Sequence, residues 1–224
     1  MKQVLFIIHG APGSGKGYTV SHLEKEIVAQ SIIKDCEIEH ISTGDLLRNE
    51  VQLNTPLGQE IAKIISSGML VSDEIVNALV VKALNTEKKV IFLDGYPRTS
   101  AQLEAFAGMI SYDKVVPILV KVDTPSNIII ERVAKRRVCK NCKFTHSVLD
   151  GCCPKCGGKS VIRNDDAVIS TRLEEYKKNT EPLFGCLVTV ANDNWFIIDN
   201  SIDISETITT VVKSIFENII PMAE

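Results

Sequence analysis

The sequence predicts an α/β fold in which helices cover both faces of a parallel β-sheet. Five short apolar runs lack the polar alternation of half-exposed strands, which is typical of strands buried on both faces. These runs are Val4–Ile8, Ile38–Ile41, Val90–Leu93, Val115–Val120 and Trp195–Ile198. Segments with helical spacing separate them, at Tyr18–Ala29, Asp73–Leu84, Ala101–Ile110 and Asn127–Lys135. This alternation predicts a three-layer sandwich around a parallel five-stranded sheet.

Length and composition limit the class of protein. A chain of 224 residues suits one domain, or one domain with an insertion. Its 25 Lys and Arg residues against 28 Asp and Glu residues give a net charge of −3, which argues against nucleic acid or an anionic membrane as the main partner. No run approaches the ~20 apolar residues of a membrane span, and the N-terminal run is too short for a signal peptide. We therefore expect a cytoplasmic protein.

Two regions interrupt the alternation of strands and helices. Residues 42–71 hold two expected helices, Leu46–Val51 and Leu57–Ser66, on either side of Pro56. Residues 137–163 are rich in Cys, Gly and Lys and lack a long apolar pattern, so they cannot form a core of their own. A closing helix is expected from about Ser205.

A glycine-rich segment directly follows the first expected strand. Residues 10–17 read GAPGSGKG, which fits the phosphate-loop pattern G-x-x-x-x-G-K and runs into a helical segment. Glycines allow consecutive backbone N–H groups to surround a phosphate, while Lys16 and the positive end of the helix add charge. A glycine-rich turn with an exposed lysine is the alternative. Gly17 stands where this motif usually carries the Ser or Thr that ligates magnesium.

Five of the seven cysteines lie within eighteen positions. They include two C-x₂-C pairs with ten residues between them, a spacing typical of a structural, tetrahedral zinc site. The four expected ligands are Cys139, Cys142, Cys153 and Cys156. Cys152 offers a second register and His146 a substitute ligand, although the two-residue spacing favours Cys153. Four thiolates leave no coordination position for water or substrate, so we expect the zinc to support the fold and not the chemistry.

The order of the motifs resembles that of the adenylate kinases over nearly the whole chain. After the phosphate loop come STGDLLR at 42–48, LVSDE at 70–74 and DGYPR at 94–98. RVAKRR at 132–137, RNDD at 163–166 and a final stretch beginning at Arg172 continue the series. The resemblance implies a monomer that transfers the terminal phosphoryl group of Mg-ATP reversibly to AMP, giving two ADP.

The same resemblance implies how the chain is divided. Residues 1–41, 72–134 and 167–224 would form the core, residues 42–71 a helical insertion that binds the nucleoside monophosphate, and residues 135–166 a small zinc-bearing lid. The gap between the two cysteine pairs is shorter than the usual family gap, which leaves the shape of the lid open.

The resemblance also assigns binding residues. Those implied for ATP are Gly13, Ser14, Gly15, Lys16, Gly17, Tyr18, Arg132 and Arg136. Those implied for AMP are Thr43, Arg48, Met69, Leu70, Val71, Gly95, Tyr96, Pro97, Arg98, Gln102, Arg163 and Arg172. Tyr18 replaces the usual Thr, and the stretch before Arg172 is about two residues shorter than the family pattern. Thr43 and Gln102 would contact the adenine, although each is also explained as a helix-surface residue.

Phosphoryl transfer to a monophosphate needs positive charge and positioning more than it needs a base, because the acceptor phosphate has its second pKa near ~6 and is already largely ionised. The implied catalytic residues are Lys16, Asp94, Arg98, Arg132, Arg163 and Arg172. Arginine suits this role because its planar fork makes bidentate contacts with phosphate. Asp94 would organise Mg²⁺ through water molecules, or would simply cap the turn into Gly95.

Two other functions remain compatible with these motifs. One is a nucleoside monophosphate kinase that acts on a different acceptor base. The other is a nucleotide-binding zinc module without turnover. A zinc ribbon that binds nucleic acid is disfavoured by the acidic charge balance and the low aromatic content of 5%.

Overall fold

The computed structural model describes residues 2–142, 144–147, 151–163 and 166–219. Its centre is a parallel sheet of five strands, which are β1 (Gln3–His9), β2 (Ile38–Ser42), β3 (Val90–Asp94), β4 (Val115–Asp123) and β8 (Trp195–Asp199). Their order across the sheet is β2-β3-β1-β4-β8. Each of the five expected apolar runs lies within one of these strands, which confirms the predicted fold class.

Nine α-helices are seen in the described part of the chain. They are α1 (Lys16–Ala29), α2 (Thr43–Gln52), α3 (Pro56–Ser67), α4 (Asp73–Leu84), α5 (Ser100–Met109), α6 (Ser126–Lys135), α7 (Ile169–Glu175), α8 (Phe184–Val190) and α9 (Ser205–Ser214). A π-helical turn at Tyr176–Thr180 and a 3₁₀ turn at Glu181–Leu183 join α7 to α8. A 3₁₀ turn at Asp35–Glu37 precedes β2, and a π-helical turn at Ile215–Ile219 follows α9. No helix among the described residues is both long and apolar enough to span a bilayer.

The sheet separates two apolar cores. On one face, Phe6 of β1 stacks on Phe92 of β3 with ring centroids 4.6 Å apart, and buried residues of α1 and α9 cover them. On the other face, Leu5 packs in a second core with Phe106 of α5 and buried residues of α4 and α8. Neighbouring residues of one strand therefore face different cores, and this explains why the strands lack polar alternation.

The two helices expected within residues 42–71 are α2 and α3. The Ser42 hydroxyl accepts a hydrogen bond from the backbone N–H of Asp45 at 3.4 Å and caps α2, which therefore begins three residues before the expected start. Thr55 caps α3 in the same way through the N–H of Gly58 at 3.0 Å, ahead of Pro56 in the first helical turn. Gly68 ends α3 with a φ of +80°.

The cysteine-rich segment follows α6 and forms a small antiparallel sheet. Its strands are β5 (Arg137–Cys139), β6 (Thr145–His146) and β7 (Ser160–Val161), in the order β6-β5-β7. Each strand pair of this sheet contains only two residue pairs.

Candidate active site

The phosphate loop joins β1 to the N-terminus of α1. Gly13 and Gly15 have φ values of +83° and +92°, which favour glycine. A Cβ at Gly13 would lie 2.8 Å from methyl groups of both Ile129 and Val133, because α6 packs directly against the loop. Backbone conformation therefore favours glycine at Gly13 and Gly15, and close packing against α6 also requires it at Gly13.

Lys16 crosses the loop and lies in a strongly positive environment. Its Nζ donates to the carbonyls of Gly10 and Ala11, both at 3.0 Å. Burial of the ammonium group and the charges of Arg98, Arg172 and Arg136 together lower the pKa of Lys16 to about 8, although the charge of Asp94 opposes this fall. Cations held so close together create a site that favours a polyanion.

Asp94 ends β3 at the edge of the sheet where the phosphate loop begins. It lies in register with Ile8 of β1 and Ser42 of β2. Burial would raise the pKa of Asp94, but contacts with His40 and the charge of Lys16 lower it on balance. An ionised carboxylate at this edge has the oxygen donors that suit Mg²⁺ and its water shell, and this residue therefore fits the expected magnesium role.

A cavity extends from the phosphate loop to the ends of α2 and α3. Most of the residues expected to bind AMP line it, together with the loop lysine. They are Lys16, Thr43, Arg48, Met69, Leu70, Val71, Gly95, Pro97, Arg98, Gln102 and Arg172. The last two residues of β1, Ile8 and His9, and the segment that begins at Gly95 after β3 also line it, as is usual for ligand sites at the strand ends of open α/β sheets.

Arg98 is held against the backbone at the end of β3. Its Nε donates to the carbonyl of Gly95 at 2.6 Å, and its Nη2 lies 3.4 Å from the Thr43 hydroxyl. A Cβ at Gly95, whose φ is +79°, would lie 2.5 Å from Arg98 Nη2. The glycine therefore leaves the space that lets this guanidinium lie across the turn.

The two residues expected to contact adenine are already bonded within the protein. Gln102 is 2% exposed; its Nε2 donates to Asp73 at 2.7 Å, and its Oε1 accepts from the Arg98 N–H at 2.8 Å. The Thr43 hydroxyl lies 2.9 Å from the carbonyl of Gly95 and 3.2 Å from that of Asp94. These bonds use one of the two N–H groups of Gln102 Nε2 and one of the two lone pairs of its Oε1, so a base contact does not require that either bond be broken.

Tyr96 differs from the other residues expected at the AMP site. It is 1% exposed, packs edge-on against Phe106 and does not line the cavity. Its hydroxyl lies 2.7 Å from Asn77 Oδ1 and 3.2 Å from the Gln102 carbonyl. The side chain belongs to the core beneath the site, because the residue packs into the layer between the sheet and α5.

The six arginines that the resemblance assigns to nucleotide binding divide into two groups. Arg48, Arg98 and Arg172 line the cavity, and Arg48 also pairs with Asp45 at 2.7 Å on the surface of α2. The other three, Arg132, Arg136 and Arg163, do not line it in the described structure.

Arg136 is engaged by a nearby carboxylate. Its Nε donates to Asp166 Oδ2 at 3.0 Å, and its Nη2 contacts Oδ1 of the same residue, a bidentate pair in which Asp166 is buried. Arg132 is exposed on α6, with its Nη1 3.8 Å from the position of a Cβ at Gly15. Arg132 therefore lies beside the phosphate loop, whereas Arg136 forms an ion pair with Asp166 in the segment that follows β7.

Tyr18 directs its ring away from the loop. The side chain is 54% exposed and packs on His22, with ring centroids 4.1 Å apart. His22 Nδ1 lies 2.9 Å from the Tyr18 carbonyl. The phenol thus lies along the surface of α1, and the backbone at the start of the helix stays open.

The four expected zinc ligands converge. All four sulfurs lie within 4.8 Å of one another, with Cys139 and Cys156 3.5 Å apart and Cys142 and Cys153 3.6 Å apart. A zinc ion about 2.3 Å from each of four sulfurs separates them by about 3.8 Å, whereas a disulfide requires about 2.05 Å. The donor set and its spacing therefore fit tetrahedral zinc.

The two alternative zinc ligands have other positions. Cys152 forms a backbone bridge with Lys159 and is not among the converging sulfurs. His146 Nε2 lies 2.8 Å from the Ser160 hydroxyl. The structure therefore selects the register with Cys153.

Several residues that were not assigned to the site from the sequence also line the cavity, among them His9, Glu175 and Tyr176. Burial, together with the charges of Lys16 and Lys121, lowers the pKa of His9 to about 4, so the imidazole is neutral near pH 7. Its Nε2 lies 3.3 Å from the Tyr176 hydroxyl. His9 could have been identified from the sequence as a polar residue at the carboxyl end of a buried parallel strand.

Comparison with known proteins agrees with this geometry. The family model for adenylate kinase matches residues 8–190. A relative named adenylate kinase from Treponema denticola is 37% identical over 187 residues, which cover 79% of this chain and 83% of the relative. One from Mycoplasma mobile is 34% identical over 232 aligned residues, covering 97% of this chain and 100% of the relative. A third, from Thermodesulfovibrio yellowstonii, is 38% identical over 185 residues, which cover 78% of this chain and 82% of the relative.

The family match, the similarity to these relatives, the phosphate loop and the cationic cavity at the strand ends agree with one another. The chain therefore belongs to the adenylate kinase family of nucleoside monophosphate kinases.

Proposed function

We propose that this enzyme transfers the terminal phosphoryl group of Mg-ATP reversibly to AMP, giving two ADP. The observation that carries the proposal is the position of Lys16, Arg98 and Arg172, which meet around one cavity between the phosphate loop and the α2–α3 insertion. Two nucleotide phosphate chains bring many negative charges together, and this cluster opposes them. The name that the relatives share supports adenine as the base.

On the acceptor side, arginines replace a catalytic base. Arg48, Arg98 and Arg172, which line the cavity, would hold the acceptor phosphate, and this phosphate is already largely ionised and attacks without losing a proton. The fork of Arg98 is oriented by its bond to the Gly95 carbonyl, so little reorganisation is needed when phosphate binds.

On the ATP side, the phosphate loop supplies backbone N–H groups and Lys16. We propose that Lys16 exchanges the Gly10 and Ala11 carbonyls for phosphate oxygens when ATP binds. Asp94 would hold Mg²⁺ through its water shell, and the ion would offset charge between the phosphates. Arg132, beside the loop, is placed to reach the same phosphates.

We further propose that residues 42–71 and 135–166 close over AMP and ATP, respectively, and exclude water, so that the phosphoryl group reaches AMP and is not hydrolysed. The four cysteines would hold a structural zinc ion that stabilises the second of these segments. Arg136 and Arg163 would act on the nucleotides only after this closure. A monomeric state and a cytoplasmic location stay predictions.

The test is a coupled assay of ADP formation from Mg-ATP with AMP, dAMP, GMP, CMP or UMP. We expect kcat/KM for AMP to exceed that for every ribonucleotide with another base by about tenfold or more, the scale of one lost polar recognition contact. Lys16→Ala, purified in the same way, controls for a contaminating kinase, because it keeps the fold but removes the loop cation. Preference for another base would assign the acceptor differently, and absence of turnover with every monophosphate would favour the nucleotide-binding module.

A further inference from the structure

Two side chains at the ends of the neighbouring strands β4 and β8 bind the same carbonyl of the phosphate loop. The Ser14 carbonyl lies 2.8 Å from Nδ2 of Asn200 and 2.9 Å from the hydroxyl of Thr124. Thr124 directly follows β4, Asn200 directly follows β8, and both are buried, at 9% and 3% exposed. Neither residue belongs to the motifs of the loop, yet both act on its backbone.

Asn200 is itself firmly placed. Its backbone N–H donates to the carbonyl of Asp123, the last residue of β4, at 2.9 Å. The Thr124 hydroxyl also lies 2.7 Å from that Asp123 carbonyl, so its single proton is shared between two acceptors. Asn200 is therefore the stronger of the two donors to Ser14, and its amide is held by the end of the sheet.

This contact determines the orientation of the Ser14–Gly15 peptide. Because a trans peptide is planar, its C=O and N–H point in opposite directions. A carbonyl fixed towards Asn200 and Thr124 turns the Gly15 N–H to the opposite side, where the loop surrounds its phosphate site. No protein acceptor for that N–H is seen among the described residues.

Gly15 and Asn200 are complementary in shape. A Cβ at Gly15 would lie 1.9 Å from Asn200 Nδ2, so the amide occupies the space that a side chain at Gly15 would need. The φ of +92° at Gly15 imposes the same choice of glycine. The contact of Asn200 with the loop is therefore possible only because residue 15, which lies 185 positions earlier in the chain, is a glycine.

We infer that Asn200, assisted by Thr124, is a positioning residue that aims the Gly15 N–H at a phosphate of ATP. This inference rests on the proposed function, since it assigns the loop to the ATP side. Its effect falls on ATP and not on AMP, because the Ser14 carbonyl and its two donors do not line the acceptor cavity.

The test compares matched pairs of variants. Asn200→Asp keeps the size of the side chain but places a carboxylate oxygen against the Ser14 carbonyl, and Thr124→Val removes the hydroxyl at nearly constant volume. We expect Asn200→Asp to lower kcat/KM for ATP by about tenfold or more, and Thr124→Val to lower it by about threefold. In both variants, KM for AMP at saturating ATP should change by less than about twofold. Thr124→Ser, which retains the donor, should stay within about twofold of the unmodified enzyme.

Direct measurement of the Kd for ATP, without any monophosphate, separates this inference from the proposed function. If the enzyme prefers another acceptor, the proposed reaction fails, but a weakened Kd for ATP in Asn200→Asp still supports the positioning role. Folded Asn200→Asp and Thr124→Val proteins that both bind ATP as tightly as the unmodified chain would overturn the inference. Equal losses of kcat/KM for ATP and for AMP, together with a lower Tm, would also overturn the inference, because they indicate general destabilisation.

Discussion

The imidazole Nε2 of His40 lies 3.8 Å from Oδ2 of Asp94, across the pairing of β2 with β3. Burial alone would lower the pKa of His40, but Asp94 outweighs it and raises this pKa above its ordinary value, with Glu24 and Asp45 acting in the same direction. The pKa of Asp94 is lowered on balance by the same contact and by Lys16. Each partner therefore favours the charged form of the other.

This pair predicts a pH-dependent contribution to stability. A histidine with a raised pKa in the folded state stabilises the fold below its unfolded pKa of ~6.5, and this stabilisation is lost as pH rises through the folded pKa. His40→Gln should therefore lower the free energy of unfolding more at about pH 6 than at about pH 9. Denaturant unfolding at both pH values measures the difference, with His22→Gln as the control. A deficit that is the same at both pH values would contradict the coupling.

Lys16 predicts proton uptake on ATP binding. Its pKa of about 8 in the ligand-free site should rise when phosphates replace the surrounding arginines as nearest charges. Binding of ATP at about pH 8.5, without a monophosphate, should therefore take up a fraction of a proton. Calorimetry in two buffers of different ionisation enthalpy measures this quantity. Lys16→Met, which cannot titrate, should lose the uptake; an equal uptake in that variant would assign it to another group.

Arg98 is expected to act on the charge of the transferred group or of the acceptor phosphate. Its guanidinium lines the cavity and is fixed by the Gly95 carbonyl at 2.6 Å. Arg98→Ala should lower kcat by a factor on the order of 10² or more. Arg98→Lys keeps the charge without the fork and should recover only part of the loss. A folded Arg98→Ala enzyme with full activity in steady-state assays would remove this assignment.

The cysteine cluster predicts a structural metal. Protein purified without chelator should contain about one zinc ion per chain, and a chelator should lower Tm before it lowers the rate of the enzyme that remains folded. Cys142→Ser should reduce both zinc content and Tm, whereas Cys186→Ser, at an exposed cysteine of α8 outside the cluster, should change neither. Metal-free protein in which all cysteines titrate freely would contradict the zinc site.

Tyr18 stands at a position that departs from the family pattern, and we expect its substitution to have only a small effect on kcat/KM for ATP. Its ring packs on His22 away from the loop, and the backbone N–H at the start of α1 remains for phosphate. Tyr18→Thr should change kcat/KM for ATP by less than about tenfold, which is under ~1.4 kcal/mol of transition-state stabilisation. Turnover that appears only in the Tyr18→Thr variant would instead support a nucleotide-binding protein without activity of its own.

The elements of the core were accessible from the sequence because each depends on residues close together in the chain. The apolar runs predict the five strands, since strands buried on both faces need apolar side chains on both. The phosphate loop depends on glycines at fixed spacing between a strand and a helix, and the C-x₂-C pairs at 139–142 and 153–156 depend on ligand geometry within a few residues. Local conformation and donor chemistry are properties of such short segments.

Only the tertiary structure decided which distant residues meet. The order β2-β3-β1-β4-β8 places His40 beside Asp94 and brings Asn200 to the carbonyl of Ser14, although neither pairing leaves a periodic pattern in the chain. The tertiary structure also decided that Tyr96 enters the core and that Asp166 binds Arg136. Arg136 and Asp166 are 30 positions apart in the chain, and Ser14 and Asn200 are 186 positions apart. Strand order and the packing of side chains around it determine such contacts, and no short segment contains either.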